Sequence, residues 1–125
     1  MRSVNKVVLM GHLAADPEVK TTQNGHAVAK FKVVTNRDWK SSDGEHHQAT
    51  DFHKIIAWQK LGEICGQYLK KGAGVYVEGR LTNYRFQDKE GNKRGTTEVV
   101  ADTVNFITYK RNKDAEEINL VEVPE

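Results

Sequence analysis

Aromatic and basic side chains alternate along one short stretch of the chain, residues 52–60. Read as a β-strand, in which successive side chains point to opposite faces, this stretch has two distinct sides. One side carries an alternating set of rings, ammonium groups and one aliphatic side chain: Phe52, Lys54, Ile56, Trp58 and Lys60. Aromatic rings stack on nucleic-acid bases of any sequence, and ammonium groups neutralise the intervening phosphates. The stretch therefore predicts a surface for single-stranded nucleic acid.

The opposite side of the same strand carries His53, Ile55 and Ala57. From the alternation alone, an equally good interpretation is a strand whose rings are ordinary core and whose lysines are a solvated rim. Because Ile55 and Ala57 already supply an apolar side for a core, the pattern favours solvent exposure of the rings. His53 is then expected in the core.

Four residues in or near this strand suggest a different chemistry, since histidine and aspartate are residue types that ligate metal ions: His46, His47, Asp51 and His53. A metal ion with a bound water would make a nuclease or a phosphatase. His46 and His47 lie in a polar segment without apolar periodicity, however, and Asp51 and His53 share a side that continues as core. We therefore predict no metal site, no catalytic residue, no enzyme activity and no cofactor. A metal-dependent nuclease is kept as an alternative.

The positive charge is concentrated in the body of the 125-residue chain. The net charge is only +2, but residues from Asp114 onward include five acidic and no basic groups, which leaves 19 basic against 12 acidic groups before them. A basic body favours polyanionic partners. Cys65 is the only cysteine, which excludes an intramolecular disulfide. No apolar run approaches the roughly 20 residues of a membrane span, and no signal peptide is recognised, so we expect a cytoplasmic protein.

The elements around residues 52–60 are predicted to be mostly strands. The predicted strands cover 4–14, 18–22, 27–37, 75–81 and 98–107, and Lys30 and Lys32 lie on the polar side of the third. A hairpin turn is predicted at Asn24-Gly25, a polar, mobile connection over 38–49, and a hairpin tip over 87–95. Apolar residues from Leu61 to Leu69 recur at helical spacing, although Gly62 and Gly66 weaken that helix.

This order of elements lacks βαβ alternation, so a parallel sheet is not expected. It predicts an all-β protein: a five-stranded Greek-key barrel of the OB-fold type, with one short α-helix between strands. We expect the barrel domain to cover residues 1–109 and a short acidic C-terminal tail to cover residues 110–125.

Several short stretches resemble the bacterial-type single-stranded DNA-binding proteins. They occur in one order and span nearly all of residues 3–107: Val4–Leu13, Asp16–Val19, Asn24-Gly25, Ala27–Ala29, Trp39, Thr50–Lys54 with Trp58, Tyr68–Gly72, Val75–Leu81 and Thr97–Ala101. In that family, aromatic side chains stack on bases at four places, which correspond here to Trp39, Phe52, Trp58 and Phe86. Phe52 and Phe86 stand where tryptophan is frequent, and Trp58 where phenylalanine is frequent. Stacking tolerates these exchanges.

The resemblance also implies phosphate contacts and an assembly. The basic residues at phosphate-contacting places are Lys6, Lys54, Lys60, Lys70, Lys71 and Arg85. The implied assembly is a homotetramer with Asn5 and His53 at contacts between subunits. The implied function is protection of single-stranded DNA, without strong sequence preference, and removal of its secondary structure in replication, repair and recombination, in a nucleoid-associated location.

Two features leave the partners open. An OB-fold scaffold of the primosome, or another interaction module with reduced DNA binding, remains an alternative within the same fold. Family members usually end in an acidic tip closing with proline and phenylalanine, which recruits replication and repair proteins. This sequence ends at Val123-Pro124-Glu125, so recruitment through such a tip is not expected.

Overall fold

The computed structural model describes the backbone of residues 1–111 and 116–122, and the side chains of residues 1–107. This part of the chain contains seven strands and one helix. In chain order they are β1 (Val7–Leu13), β2 (Glu18–Thr21), β3 (Ala27–Lys40), β4 (His46–Trp58), α1 (Gln59–Tyr68), β5 (Gly74–Gln87), β6 (Lys93–Arg111) and β7 (Glu116–Glu122).

Five of these strands close into a barrel. Neighbouring strands follow the order β1-β5-β6-β4-β3, and β3 pairs back to β1, so the sheet has no free edge around this ring. The pairs are antiparallel except β4–β6, which is parallel, and α1 lies between β4 and β5 in sequence. β2 and β7 pair outside the ring, with β3 and β6 respectively. The predicted five-stranded OB-fold barrel with one helix is confirmed.

The barrel interior is filled by alternate side chains of its strands. The largest fully buried ones include Leu13, Val33, Ile55, Val75 and Val77. This burial follows from the period of two, because each strand turns its apolar side inward and its polar side to solvent.

Two glycines allow elements to approach this core closely. A Cβ on Gly11 would collide with the carbonyl of Val34, where β1 meets β3 and the ring closes. A Cβ on Gly62 would likewise collide with the carbonyl of Ala57, so α1 packs tightly against the end of β4. The helix-weakening Gly62 is therefore explained by close packing. Cys65, on the same helix, is fully buried, and burial raises the pKa of its thiol to about 12.

The prediction of a polar, mobile connection over residues 38–49 is wrong. β3 continues to Lys40 and β4 begins at His46, and the two strands stay paired to their ends. The outer part of this hairpin extends past the core, so neither of its faces has to be apolar. Its sequence therefore shows no apolar alternation. Cross-strand side-chain pairs form along it instead, including Arg37 Nε to Asp51 Oδ2 at 2.9 Å.

The β5–β6 hairpin is also longer than the sequence predicts. Its strands run to Gln87 and from Lys93, which leaves a tip of five residues. Asp88 organises this tip, since its carboxylate accepts hydrogen bonds from Arg94 Nε and from the backbone N–H groups of Glu90 and Asn92. The Arg94 hydrogen bond, helped by those backbone groups, lowers the pKa of Asp88. The tip is therefore an ordered turn.

The predicted acidic tail, residues 110–125, lies partly outside the described residues, which omit 112–115 and 123–125. Within it, the backbone of Glu116–Glu122 forms β7 antiparallel to the end of β6, with Asn105 opposite Glu122. The acidic composition of this segment did not predict a strand. The division into a domain over 1–109 and a tail stays a prediction. Within the described residues, no helix has the length and apolar character needed to cross a membrane.

Candidate nucleic-acid interface

The two sides predicted for β4 are present in the structure. Phe52 is 61% exposed and Trp58 41% exposed, whereas Ile55 and Ala57 are fully buried on the opposite side. The rings are therefore outside the core, and the alternative of ordinary core aromatics does not apply to them. Ile56 shares the outward side but is buried, and it forms a small apolar cluster with Val28 and Val100.

Neighbouring strands extend this outward side of β4. The register sets Lys30 and Lys32 of β3 opposite Ile56 and Lys54, and it sets Val100 of β6 beside Ile56. Because side chains two residues apart share a face, the pairing defines a continuous surface. We call it the outer face; it comprises Val28, Lys30 and Lys32 on β3, Phe52, Lys54, Ile56 and Trp58 on β4, Tyr84 and Phe86 on β5, and Arg94, Thr96, Glu98 and Val100 on β6.

The long β5–β6 hairpin brings Phe86 to the outer face. Phe86 lies opposite Arg94, and it is 51% exposed. A direct contact joins the hairpin to β4, because Lys54 Nζ donates a hydrogen bond to Thr96 Oγ1 at 3.0 Å. Three of the four predicted stacking residues, Phe52, Trp58 and Phe86, are thus brought onto one surface.

A groove of about 400 Å³ lies beside Lys54 on this surface. Its lining has three ammonium-bearing and three carboxylate side chains: Lys30, Lys32 and Lys54, and Asp16, Glu18 and Glu98. Lys30 and Lys32 are absent from the phosphate-contacting residues predicted from the sequence. Their alternation with buried Phe31 was the signal that could have identified them.

Trp39 lies on the other face of its hairpin. In the continuous β3–β4 register it pairs with His47, which belongs to the same side as Asp51 and His53 and not to the side of Phe52. The Trp39 and His47 rings are stacked, with centroids 5.4 Å apart and planes 20° from parallel. The Arg37 guanidinium carbon is 5.2 Å from the centroid of the Trp39 ring. A single surface therefore does not contain all four predicted rings.

The predicted basic residues are also divided. Lys54 is on the outer face, whereas Arg85 alternates with Phe86 and so points to the other face of β5. Arg85 and Phe86 nevertheless both border a second groove of about 300 Å³, with Gln87 and Lys93. The strand-based placement of Lys60 is wrong, because β4 ends at Trp58 and Lys60 lies in the first turn of α1.

The remaining predicted phosphate contacts lie outside the strands. Lys70 and Lys71 belong to the connection between α1 and β5, where the Lys71 backbone N–H donates to Asp16 Oδ1 at 2.8 Å. Lys6 precedes β1, and its Nζ is 3.6 Å from Glu78 Oε2. Hydrogen bonding from Tyr76 lowers the pKa of Glu78, and the charge of Lys6 adds to this effect. Side-chain alternation does not place these lysines on the outer face.

The two residues predicted at subunit contacts make contacts within this chain. The Asn5 side chain accepts from the Leu81 backbone N–H and donates to the Leu81 carbonyl, both at 2.9 Å. Its amide thereby continues the β1–β5 pairing beyond Val7. His53 Nε2 and Thr35 Oγ1 lie 2.8 Å apart and share a hydrogen bond. Their predicted role between subunits stays a prediction.

The residues considered for a metal site are distributed over separate contacts. His47 has ligand atoms within 4.8 Å of those of Asp43 and Glu45, but Asp51 pairs with Arg37 and His53 with Thr35. In the turn, Asp43 accepts hydrogen bonds from the Ser41 hydroxyl and the Glu45 backbone N–H. These hydrogen bonds lower the pKa of Asp43. They give its carboxylate a structural role in the turn.

Comparison with known proteins decides the family. A model described as the single-strand binding protein family matches residues 4–107. The chain belongs to the single-strand binding protein family. This matched range contains the whole outer face.

Relatives within the single-strand binding protein family match most of the chain. One is a single-stranded DNA-binding protein 1 from Chlorobaculum tepidum, 44% identical over 110 residues, which are 87% of this chain and 68% of that protein. Another is a single-stranded DNA-binding protein from Neisseria meningitidis, 43% identical over 105 residues, which are 84% of this chain and 60% of that protein. The chain thus spans roughly two thirds of the length of these relatives.

A solved structure supports the same assignment. A Plasmodium falciparum SSB complex with ssDNA superimposes with a TM-score of 0.82 at 28% identity, covering 86% of this chain and 98% of that chain. The likeness therefore extends to a member of the single-strand binding protein family whose structure contains its ligand.

Proposed function

We propose that this chain binds single-stranded DNA without strong sequence preference and performs no chemistry. The observation that carries the proposal is the outer face, where Phe52, Trp58 and Phe86 are exposed around Lys54. Exposed large apolar side chains gathered on one surface mark a binding site on a protein in water. Rings that accept any base, with lysines between them, suit a flexible polyanion made of flat bases. The names of the two relatives and the DNA-bound structure support the choice of ligand.

The binding residues in this proposal are those predicted from the sequence, divided into central contacts and contacts further along the DNA. The outer face supplies the central contacts through Phe52, Lys54, Trp58 and Phe86. The remaining residues would contact DNA that continues around the two hairpins and the helix: Trp39, Lys6, Lys60, Lys70, Lys71 and Arg85. Trp39 and Arg85 lie on the other sides of β3 and β5, so bound DNA must pass around a hairpin edge to reach them.

The biological role follows from this binding. A protein that holds bases on rings keeps them from pairing, and so protects the strand and removes hairpins during replication, repair and recombination. We propose a homotetramer in which Asn5 and His53 lie near contacts between subunits, in a cytoplasmic, nucleoid-associated location. Several barrels in one assembly would lengthen the DNA path.

A fluorescence titration tests the proposal. Trp39 and Trp58 are the only tryptophans, and they lie on opposite faces of β3–β4. In Trp39→Phe the remaining Trp58 reports on the outer face, and in Trp58→Phe the remaining Trp39 reports on the other face. Oligothymidine at low salt should quench Trp58 emission, and duplex DNA of equal length should quench it much less. Unchanged Trp58 emission with oligothymidine would refute the proposal. Shortening of the DNA that a chelator prevents would contradict the absence of chemistry and favour the nuclease.

A further inference from the structure

The β5–β6 hairpin carries a ring on the outer face that the four predicted stacking positions do not include. Tyr84 is 40% exposed and lies opposite Thr96 in the antiparallel register. Phe86 follows two residues later and therefore points to the same side. Tyr84 thus lies between the barrel and Phe86 on this surface.

Thr96 connects Tyr84 to β4. It is the cross-strand neighbour of Tyr84, and its hydroxyl accepts the hydrogen bond from Lys54 Nζ at 3.0 Å. The β4–β6 register pairs Ile55 with Val99, so Lys54 reaches back along β6 to contact Thr96. Since adjacent strands lie about 4.8 Å apart, β5 at Tyr84 lies about 10 Å from β4.

Phe52 completes the arrangement from the other side. It precedes Lys54 by two residues on β4, a distance of about 7 Å along the strand, and it points outward. Continued back along both strands, the β4–β6 register sets Phe52 opposite Thr96, so the Lys54 ammonium group at Thr96 lies between the strand positions of Phe52 and Tyr84. The order ring, ammonium group, ring on the protein matches single-stranded DNA, in which a phosphate lies between consecutive bases.

We propose that Tyr84 stacks on a base of the bound strand, and that Lys54 neutralises a phosphate between this base and one stacked on Phe52. Thr96 is a positioning residue that holds the ammonium group between the rings. This inference rests on the proposed function, and it adds a fifth ring to the four predicted stacking residues and a fourth to the outer face.

A structural explanation for Tyr84 must be separated from this one, since an aromatic residue opposite threonine also stabilises a sheet. Four variants make the separation. Tyr84→Ala removes the ring, Tyr84→Phe keeps it, and Tyr84→Thr replaces it with a β-branched side chain that suits a strand. Tyr68→Ala is the matched control, because Tyr68 is exposed on α1 beside Phe106 and outside the outer face.

The measurement is the Kd for an oligothymidine of about eight nucleotides, within the usual range for one OB-fold, at several salt concentrations. Loss of one stacked base should weaken binding by about 5- to 150-fold in Tyr84→Ala and Tyr84→Thr. The slope of log K against log salt should not change, because no phosphate contact is lost. Tyr84→Phe and Tyr68→Ala should stay within about twofold of the unaltered protein, given that stacking depends on the ring alone.

Either of two results would overturn the inference. If folded Tyr84→Thr binds within about twofold of the unaltered protein while Phe52→Ala binds more weakly, Tyr84 makes no contact and the proposed function stands. If the unaltered protein does not bind oligothymidine, the proposed function fails, and this inference fails with it.

Discussion

Truncation of Phe52 should separate binding from folding. The ring is 61% exposed, so about two fifths of the side chain is covered by the rest of the protein. Full burial of a phenylalanine side chain stabilises a fold by about 1.5–3 kcal/mol. Phe52→Ala should therefore lower the free energy of unfolding by only about 0.6–1.2 kcal/mol, scaled from that range. Loss of a stacked base should cost about 1–3 kcal/mol of binding free energy, or a roughly 5- to 150-fold higher Kd for oligothymidine.

Two further variants serve as controls, one for binding and one for folding. Phe52→Trp keeps a ring at the same place and should bind at least as tightly as the unaltered protein. Phe31→Ala removes a buried ring from the neighbouring strand and should cost about 3–5 kcal/mol of unfolding free energy. Urea denaturation and titration of each variant provide the two free energies. A loss of unfolding free energy in Phe52→Ala as large as in Phe31→Ala, or an unchanged Kd, would refute the assignment of Phe52 as an exposed stacking residue.

The remaining predictions concern charge, helix packing and the buried thiol. Lys54→Gln should reduce the salt slope of oligothymidine binding by about 0.7, the value for one phosphate on a single strand, and an unchanged slope would exclude a phosphate contact. Thr96→Val, which removes the acceptor for Lys54 Nζ but keeps the β-branched shape, should weaken binding less than Lys54→Gln does. Gly62→Ala should destabilise the protein in urea denaturation despite the better helix propensity of alanine, because its Cβ would collide with the Ala57 carbonyl; a gain in stability would contradict this packing. Cys65, buried with a thiol pKa of about 12, should react with maleimide at pH 8 only after denaturation, and rapid labelling of the folded protein would contradict its burial.

Local patterns predicted the elements that border the core. On β4, Ile55 and Ala57 had to face inward, and this requirement alone placed Phe52 outside. The helix was predicted from the spacing of Leu61, Ile64 and Cys65. The structure begins it earlier, at Gln59, and ends it at Tyr68, just before the predicted end. In each case the signal was strong because one side of the element is apolar and the other is not.

The parts that failed lie where neither side is apolar. Residues 38–40 and 46–49 continue β3 and β4, but they extend past the core, and polar side chains on both faces gave no period of two. The face on which Trp39 lies depends on its pairing with His47, which is a property of hairpin register and not of local sequence. The same limit concealed the relation between Tyr84 and Lys54, which depends on Thr96, a residue on a third strand that pairs with Tyr84 and contacts Lys54.

These long hairpins explain how a small barrel provides an extended binding surface. The apolar cluster of Val28, Ile56 and Val100 lies on the outer face of the closed ring, where adjacent strands hold the backbone in place. The hairpin arm carrying Phe86 extends from this rigid base, and its residues are not needed to fill the core. Rings held on paired strands lose little further freedom when they bind a base, so a larger part of the stacking energy is retained as affinity. The same arms have solvent on both faces, which allows a bound strand to leave the outer face near Phe86 and continue toward Arg85 on the other side.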